Sequence, residues 1–128
     1  MINHSQCHQI DIVTASIVAE LELTDFDADR QLLALPGISL VIFTSTGCAK
    51  CRWLRQQLPA WRLPVARVCW IDAGDSGGLV ERYQVGHLPA VFVVRDSQFF
   101  GELGASFNRQ QYCQALDQAL AGEAEELP

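Results

Sequence analysis

"TSTGCAKCRWL", Thr44 to Leu54, sets two cysteines three positions apart, with a lysine between them and arginines at Arg52 and Arg55. Three readings fit that spacing: a redox pair, half of a metal site, or two unreactive thiols on a helix. The flanks bear on the choice. Ahead lies "LVIFTS", Leu40 to Ser45, a continuous apolar run that turns polar, as a strand buried on both faces does. Behind lies "CRWLRQQLPAW", in which Trp53, Leu54, Leu58 and Trp61 recur at helical offsets. Pro59 should kink or shorten that helix. The cysteines therefore belong at a strand-to-helix junction, with Cys48 at the helix N-terminus.

Such a junction favours thiolate chemistry. A helix N-terminus presents free backbone N–H groups and about half a positive charge. Cysteines placed there have pKa values of about 3.5 to 7.5, against about 8.5 for a free thiol. Lys50, Arg52 and Arg55 push the same way. A thiolate attacks a disulfide, and a second cysteine resolves the mixed disulfide. Attack falls to Cys48 at the helix tip and resolution to Cys51, one turn in. A structural zinc needs four ligands, and the chain holds one Cys-x-x-Cys. His4, Cys7 and His8 are the residues left to complete such a site, and their spacing is a weak signal. No metal is expected.

The rest of the chain supplies the frame. "IVAELEL", Ile17 to Leu23, alternates as a strand. "LTDFDADRQLLALPG" offers Thr24 as a helix cap and ends at Pro36 and Gly37. "VARVCWID", Val65 to Asp72, is a second apolar strand, "AGDSGG" a turn, and "LVERYQV" a short helix. "PAVFVV" and "QFFGELG" flank Asp96-Ser97 as a hairpin. "NRQQYCQALDQALAG" is a helix stopped by Gly122. The order is strand, helix, strand, helix, strand, helix, strand, strand, helix. It predicts an α/β fold, one mixed sheet with parallel crossovers and helices on both faces. Residues 1–17 form an extension of ambiguous structure, residues 18–121 the domain, and residues 122–128 an acidic tail expected to be frayed and solvated.

Composition narrows the function. The chain has 128 residues, 49% hydrophobic, enough for one domain with an ordinary core. The net charge is −6, yet Arg30 to Ile71 contains six basic residues and no acid. An acidic protein with six dispersed cations is a poor nucleic-acid binder. No apolar run approaches the roughly 20 residues that span a bilayer. The N-terminus has no basic start or apolar core, so the expected location is cytoplasmic, without membrane attachment. Five cysteines, an odd number, do not read as a disulfide framework, and Cys69 and Cys113 read as small core hydrophobes.

These features together resemble the thioredoxin family. The likeness spans about residues 18 to 121 and rests on "LVIFTSTGCAKC", "WIDA", "YQVGHLPAVFVV" and "GELGASFNRQQYCQAL" in that order. It implies the thioredoxin fold and a thiol–disulfide oxidoreductase. Such an enzyme uses a redox-active Cys48–Cys51 disulfide and no bound cofactor. Its partners would be protein or small-molecule disulfides and a reductase or thiol donor of electrons. The resemblance also implies a cis Leu88–Pro89 bond lying against the disulfide, with Leu88 pairing its backbone to a bound peptide. His87, next door, would touch substrate or tune the thiolate. The chain departs from the family at Gly47, where a tryptophan is usual, and at Ala49-Lys50, where Gly-Pro is usual. It also has Ile42 in place of a buried aspartate and Val68 in place of its lysine partner. Without that aspartate, Cys51 has only water or His87 as an evident base and should be activated slowly. The basic motif should raise the reduction potential. These losses keep a second class open: a non-catalytic thioredoxin-fold interaction or chaperone module, or a redox switch.

Overall fold

A computed structural model describes residues 18–104 and 108–128. Five strands and four helices alternate as the apolar pattern requires. They are β1 Ala19–Leu23, α1 Ala28–Ala34, β2 Ile38–Thr44, α2 Ala49–Trp61, β3 Arg67–Asp72, α3 Gly77–Arg82, β4 Ala90–Arg95, β5 Gln98–Glu102 and α4 Arg109–Ala121. The sheet order is β1-β3-β2-β4-β5. β1, β3 and β2 run parallel, and β4 and β5 complete the sheet antiparallel. This is the mixed sheet with helices on both faces.

Alternation along the strands divides the core into two layers. Leu40, Ile42, Val68, Trp70 and Val91 face α2 and α4, where Leu54, Leu58 and Leu116 meet them. Val41, Phe43, Cys69, Ile71 and Phe92 face α1 and α3, against Leu32, Leu79 and Tyr83. β2 is buried along almost its whole length, which is why it reads as an unbroken apolar run. Truncating one of these leucines, such as Leu58, to alanine removes about 2 to 5 kcal/mol of stability.

Local chemistry fixes the joints. Asp96 and Ser97, at φ 51° and 71°, form the two-residue turn between β4 and β5. Positive φ at both central residues matches the twist of a hairpin. The Asp96 carboxylate accepts from Gly37 N–H at 2.8 Å, and Ser97 Oγ donates to the Leu33 carbonyl at 2.7 Å. These bonds tie the hairpin to the last turn of α1 and to the loop that follows it. Pro59 lies inside α2, but the helix ends two residues later, where Arg62 turns left-handed at φ 49°. The proline therefore shortens the helix rather than bending its middle.

Three details differ from the sequence-based expectation. The α1 cap is Asp27, not Thr24. Thr24 N–H and Oγ1 both bond Asp27 Oδ1, so the two residues form one turn ahead of the helix. The acidic tail is solvated but not frayed. Glu125 exchanges two backbone bonds with Phe99 of β5, at 2.7 and 2.8 Å, and Leu127 packs on the α1/α3 side of the core. Cys113 is buried but is disulfide-bonded rather than a free thiol. Residues 1–17, including the ambiguous extension and the His4, Cys7, His8 cluster, lie outside the described residues.

Candidate functional site

β2 delivers the chain to the carboxyl edge of the sheet, and Ser45 to Gly47 turn it into α2. Cys48 is the N-cap, in extended conformation, and its sulfur takes the place of a serine or threonine oxygen. Cys51 N–H donates to Cys48 Sγ at 3.1 Å. Cys48 Sγ also lies 3.9 Å from the Leu88 carbonyl oxygen. Both cysteines are free thiols, Cys48 half-buried and Cys51 only 2% exposed.

The two thiols are driven apart in acidity. Partial burial pushes Cys48 up, but the hydrogen bonds from the Cys51 thiol and from the Cys51 and Lys50 backbone N–H groups outweigh it. With the Arg52 charge added, Cys48 is held below the ordinary thiol value. Cys51 is pushed up to about 11 by burial, by its bond to Cys48 and by the Cys48 charge. Cys48, at the helix tip, is therefore the first of the pair to ionise, and Cys51 behind it keeps its proton to higher pH.

Two openings flank the pair. On the Leu88 side an apolar cavity of about 470 Å³ is lined by Trp53, Leu54, Leu88, Pro89, Val91 and Tyr112, with Ala49, Lys50 and His87 at its rim. The Leu88–Pro89 peptide is cis. On the other side a polar pocket of about 310 Å³ is lined by Cys51, Thr44, Glu22, Asp72, Arg52 and Arg55. Arg55 pairs with both oxygens of Glu22, at 2.8 and 3.0 Å, and lies 4.6 Å from the centre of the Trp70 ring. Trp70 Nε1 donates to Glu20 Oε1 at 2.8 Å.

Several residues singled out in the sequence converge here. Cys48, Cys51, Leu88 and Pro89 come together, with Ala49 and Lys50 on the same rim. Arg52 reaches back to the Thr46 carbonyl at 2.8 Å. A Cβ added at Gly47 would meet no described atom within 4 Å. His87 does not stand behind Cys51. It is 68% exposed and pairs with Glu102 Oε2 at 3.0 Å, on the apolar side. Ile42 and Val68 are fully buried in the apolar layer. The carboxylates beside Cys51, Asp72 and Glu22, were not singled out from the sequence. Their closeness follows from strand register: Thr44 pairs with Asp72, and Glu22 pairs with Trp70 two residues before it. No cluster of three or more potential metal ligands occurs among the described residues. No described helix is long and apolar enough to cross a membrane.

Comparison with known proteins places this architecture. No protein-family model matches the chain, and no curated protein matches its sequence. Solved structures do. A mutant thioredoxin from Halobacterium salinarum superposes with a TM-score of 0.68 at 18% identity, over 83% of this chain and 95% of that one. Thioredoxin from Trypanosoma brucei brucei gives 0.66 at 17% identity, over 85% and 97%. Zinc-bound human ERp44 gives 0.61 at 15% identity, over 77% of this chain and 30% of that larger protein. The chain has the thioredoxin fold, with a close cysteine pair at the start of α2.

Proposed function

We propose that the protein is a thiol–disulfide oxidoreductase whose working groups are Cys48 and Cys51. The observation that carries this reading is the division of the pair: Cys48 capping α2 with its pKa lowered, Cys51 buried and protonated behind it. That division matches the order of exchange. The Cys48 thiolate attacks one sulfur of a substrate disulfide, forms a mixed disulfide and releases the first substrate thiolate, which takes a proton from water. Cys51 then loses its proton and attacks Cys48 Sγ. A Cys48–Cys51 disulfide forms and the second substrate thiol leaves. Two electrons pass to the substrate, and an external dithiol or reductase restores the pair. Thiolate chemistry needs no bound cofactor.

Substrate would approach over Gly47, where an added Cβ meets no described atom within 4 Å, and lie along Leu88 in the extended manner of an added strand. Pro89 and the apolar cavity would take a neighbouring side chain. Lys50, beside Ala49 on the rim, and Arg52 supply positive charge to the thiolate and to acidic substrate groups. Protein disulfides and small disulfides both fit so open an approach.

A redox titration tests the reading. The protein is equilibrated against dithiol buffers, free thiols are trapped by alkylation, and the product is counted by mass. The expected result is a reversible two-electron transition confined to Cys48 and Cys51. If no disulfide forms between them in oxidising buffer, the catalytic reading fails. The interaction-module reading, which the apolar Ile42 and Val68 favour, then takes its place.

A further inference from the structure

Resolution requires the Cys51 proton to leave, and burial makes that proton hard to remove. The buried acid that thioredoxins carry in β2 is Ile42 here. Position 42 lies in the apolar layer among Leu54, Leu58, Val68 and Trp70. One pleat further along the same face, the chemistry changes. Thr44 and Asp72 are register partners at the ends of β2 and β3, and both line the polar pocket whose wall is Cys51.

The charged groups around that pocket have different freedoms. Arg52 and Arg55 reach it from α2 and are cations. Glu22 comes from β1, but both of its oxygens are engaged by the Arg55 guanidinium. Asp72 comes from β3. Its Oδ1 accepts from Gly74 N–H at 2.8 Å, while its Oδ2 has no protein hydrogen bond among the described residues. His87 lies across the motif on the apolar side, paired with Glu102. Lys50 is on that side too. The pocket is lined by exposed residues such as Thr46 and Arg52 and is large enough for several waters.

We propose that Asp72 is the general base of the resolving step, taking the Cys51 proton through water in this pocket. The inference rests on the oxidoreductase reading above and deepens it. The step balances: the Cys51 proton passes by way of water to Asp72 Oδ2, and the Cys51 electron pair forms the new bond to Cys48 Sγ. The Cys48–substrate bond breaks, and the departing thiolate is protonated from solvent. Asp72 then returns its proton to solvent through the same opening. In this chain the base has moved from the dry interior of β2 to the wet mouth of β3.

The test follows 5,5′-dithiobis(2-nitrobenzoate) mixed with an excess of the reduced full chain in stopped flow. Each reagent molecule releases two thionitrobenzoate ions, the first when Cys48 attacks and the second when Cys51 resolves. Asp72→Asn keeps an oxygen for Gly74 N–H, so the turn is retained. It should leave the first phase unchanged and slow the second at neutral pH on the order of 10²-fold, the scale of general base catalysis. The deficit should shrink as the pH approaches the Cys51 value, where hydroxide does the work. Asp72→Glu should retain most of the second phase. A merely electrostatic role gives the opposite sign: removing a negative charge beside Cys51 favours its thiolate and speeds the second phase. A second phase that is unchanged or faster in Asp72→Asn overturns the proposal. Absence of either phase in the parent protein overturns instead the oxidoreductase reading on which it rests.

Discussion

Cys51 donates its backbone N–H to Cys48 Sγ at 3.1 Å, so the buried cysteine stabilises the thiolate of the exposed one. The cost falls on Cys51 itself, whose thiol is pushed up to about 11, first by burial and then by that same neighbour. Alkylation should show the asymmetry. Iodoacetamide should modify Cys48 along a titration curve centred below the ordinary thiol value, while Cys51 stays unmodified through neutral pH. Mass mapping at a series of pH values reads both sites. Equal modification of the two at neutral pH would contradict the assignment of roles.

A stabilised Cys48 thiolate exists only in the reduced protein, so it favours reduction of the disulfide. The potential should therefore be less negative than thioredoxin's, about −270 mV. Arg52→Ala removes one of the groups that lowers Cys48 and should shift the potential in the negative direction. Equilibration with glutathione or dithiothreitol buffers measures both. A potential at or below that of thioredoxin would mean that the hydrogen bonds at the helix tip do not govern the couple.

Stability of the reduced protein should fall at alkaline pH. Cys51 and Cys69 are both raised from 9.0 to about 11, in each case chiefly by burial. Between those values the unfolded chain has lost protons that the folded chain still holds. The unfolded state therefore binds fewer protons, and stability declines as pH rises. Each such group contributes a slope of about 1.4 kcal/mol per pH unit at most. Tyr83 and Tyr112, raised from 10.0 to about 12, extend the decline upward. Urea midpoints of reduced protein should fall from about pH 9 to pH 11, the window between the ordinary and the raised thiol values; below it the lowered Cys48 thiol acts in the opposite direction. A flat profile would show that these thiols ionise while folded.

Most of the fold was legible because its signals are local. β2 and β4 read as strands from unbroken apolar runs, and α2 and α4 as helices from apolar residues three and four apart. The cysteine pair and Pro89 were also plain, and their meeting follows from the sheet order. What escaped depends on pairing between distant segments. Asp27 rather than Thr24 stands at the N-cap of α1, its carboxylate turned back to Thr24. The tail is held to β5 by backbone atoms, which composition does not report. Asp72 reaches the Cys51 pocket only through the β2–β3 register, while His87, adjacent in sequence to Leu88, turns to Glu102.

An aspartate at position 42 should harm this protein. Ile42 is fully buried between Leu54, Leu58 and Trp70, and Val68 stands where a lysine partner would be. Ile42→Asp places an unpaired carboxyl in an apolar layer and should cost on the order of 3 to 5 kcal/mol, the scale of an uncompensated buried charge. Adding Val68→Lys supplies a partner from the neighbouring strand and should recover part of that loss. The two positions are not direct register partners, since Ile42 pairs with Trp70, so recovery should be incomplete. Urea denaturation of the single and double variants gives the coupling. A mild effect of Ile42→Asp would mean that water enters this layer.

The acidic tail should act as a structural strap on the sheet. Glu125 closes two backbone bonds with Phe99, and Leu127 covers the core beside β5. A strand edge left open invites pairing with another chain. Removing residues 123–128 deletes two hydrogen bonds, each worth about 0.5 to 1.5 kcal/mol net, and uncovers part of that edge. The truncated protein should unfold at lower urea and sediment with a concentration-dependent heavier component. Replacing Glu123 and Glu126 with glutamine should do neither, because the strap is made by backbone atoms and Leu127 rather than by charge. If the charge changes weaken the protein as much as the deletion does, repulsion and solvation of the acids govern the tail and the pairing with Phe99 is incidental.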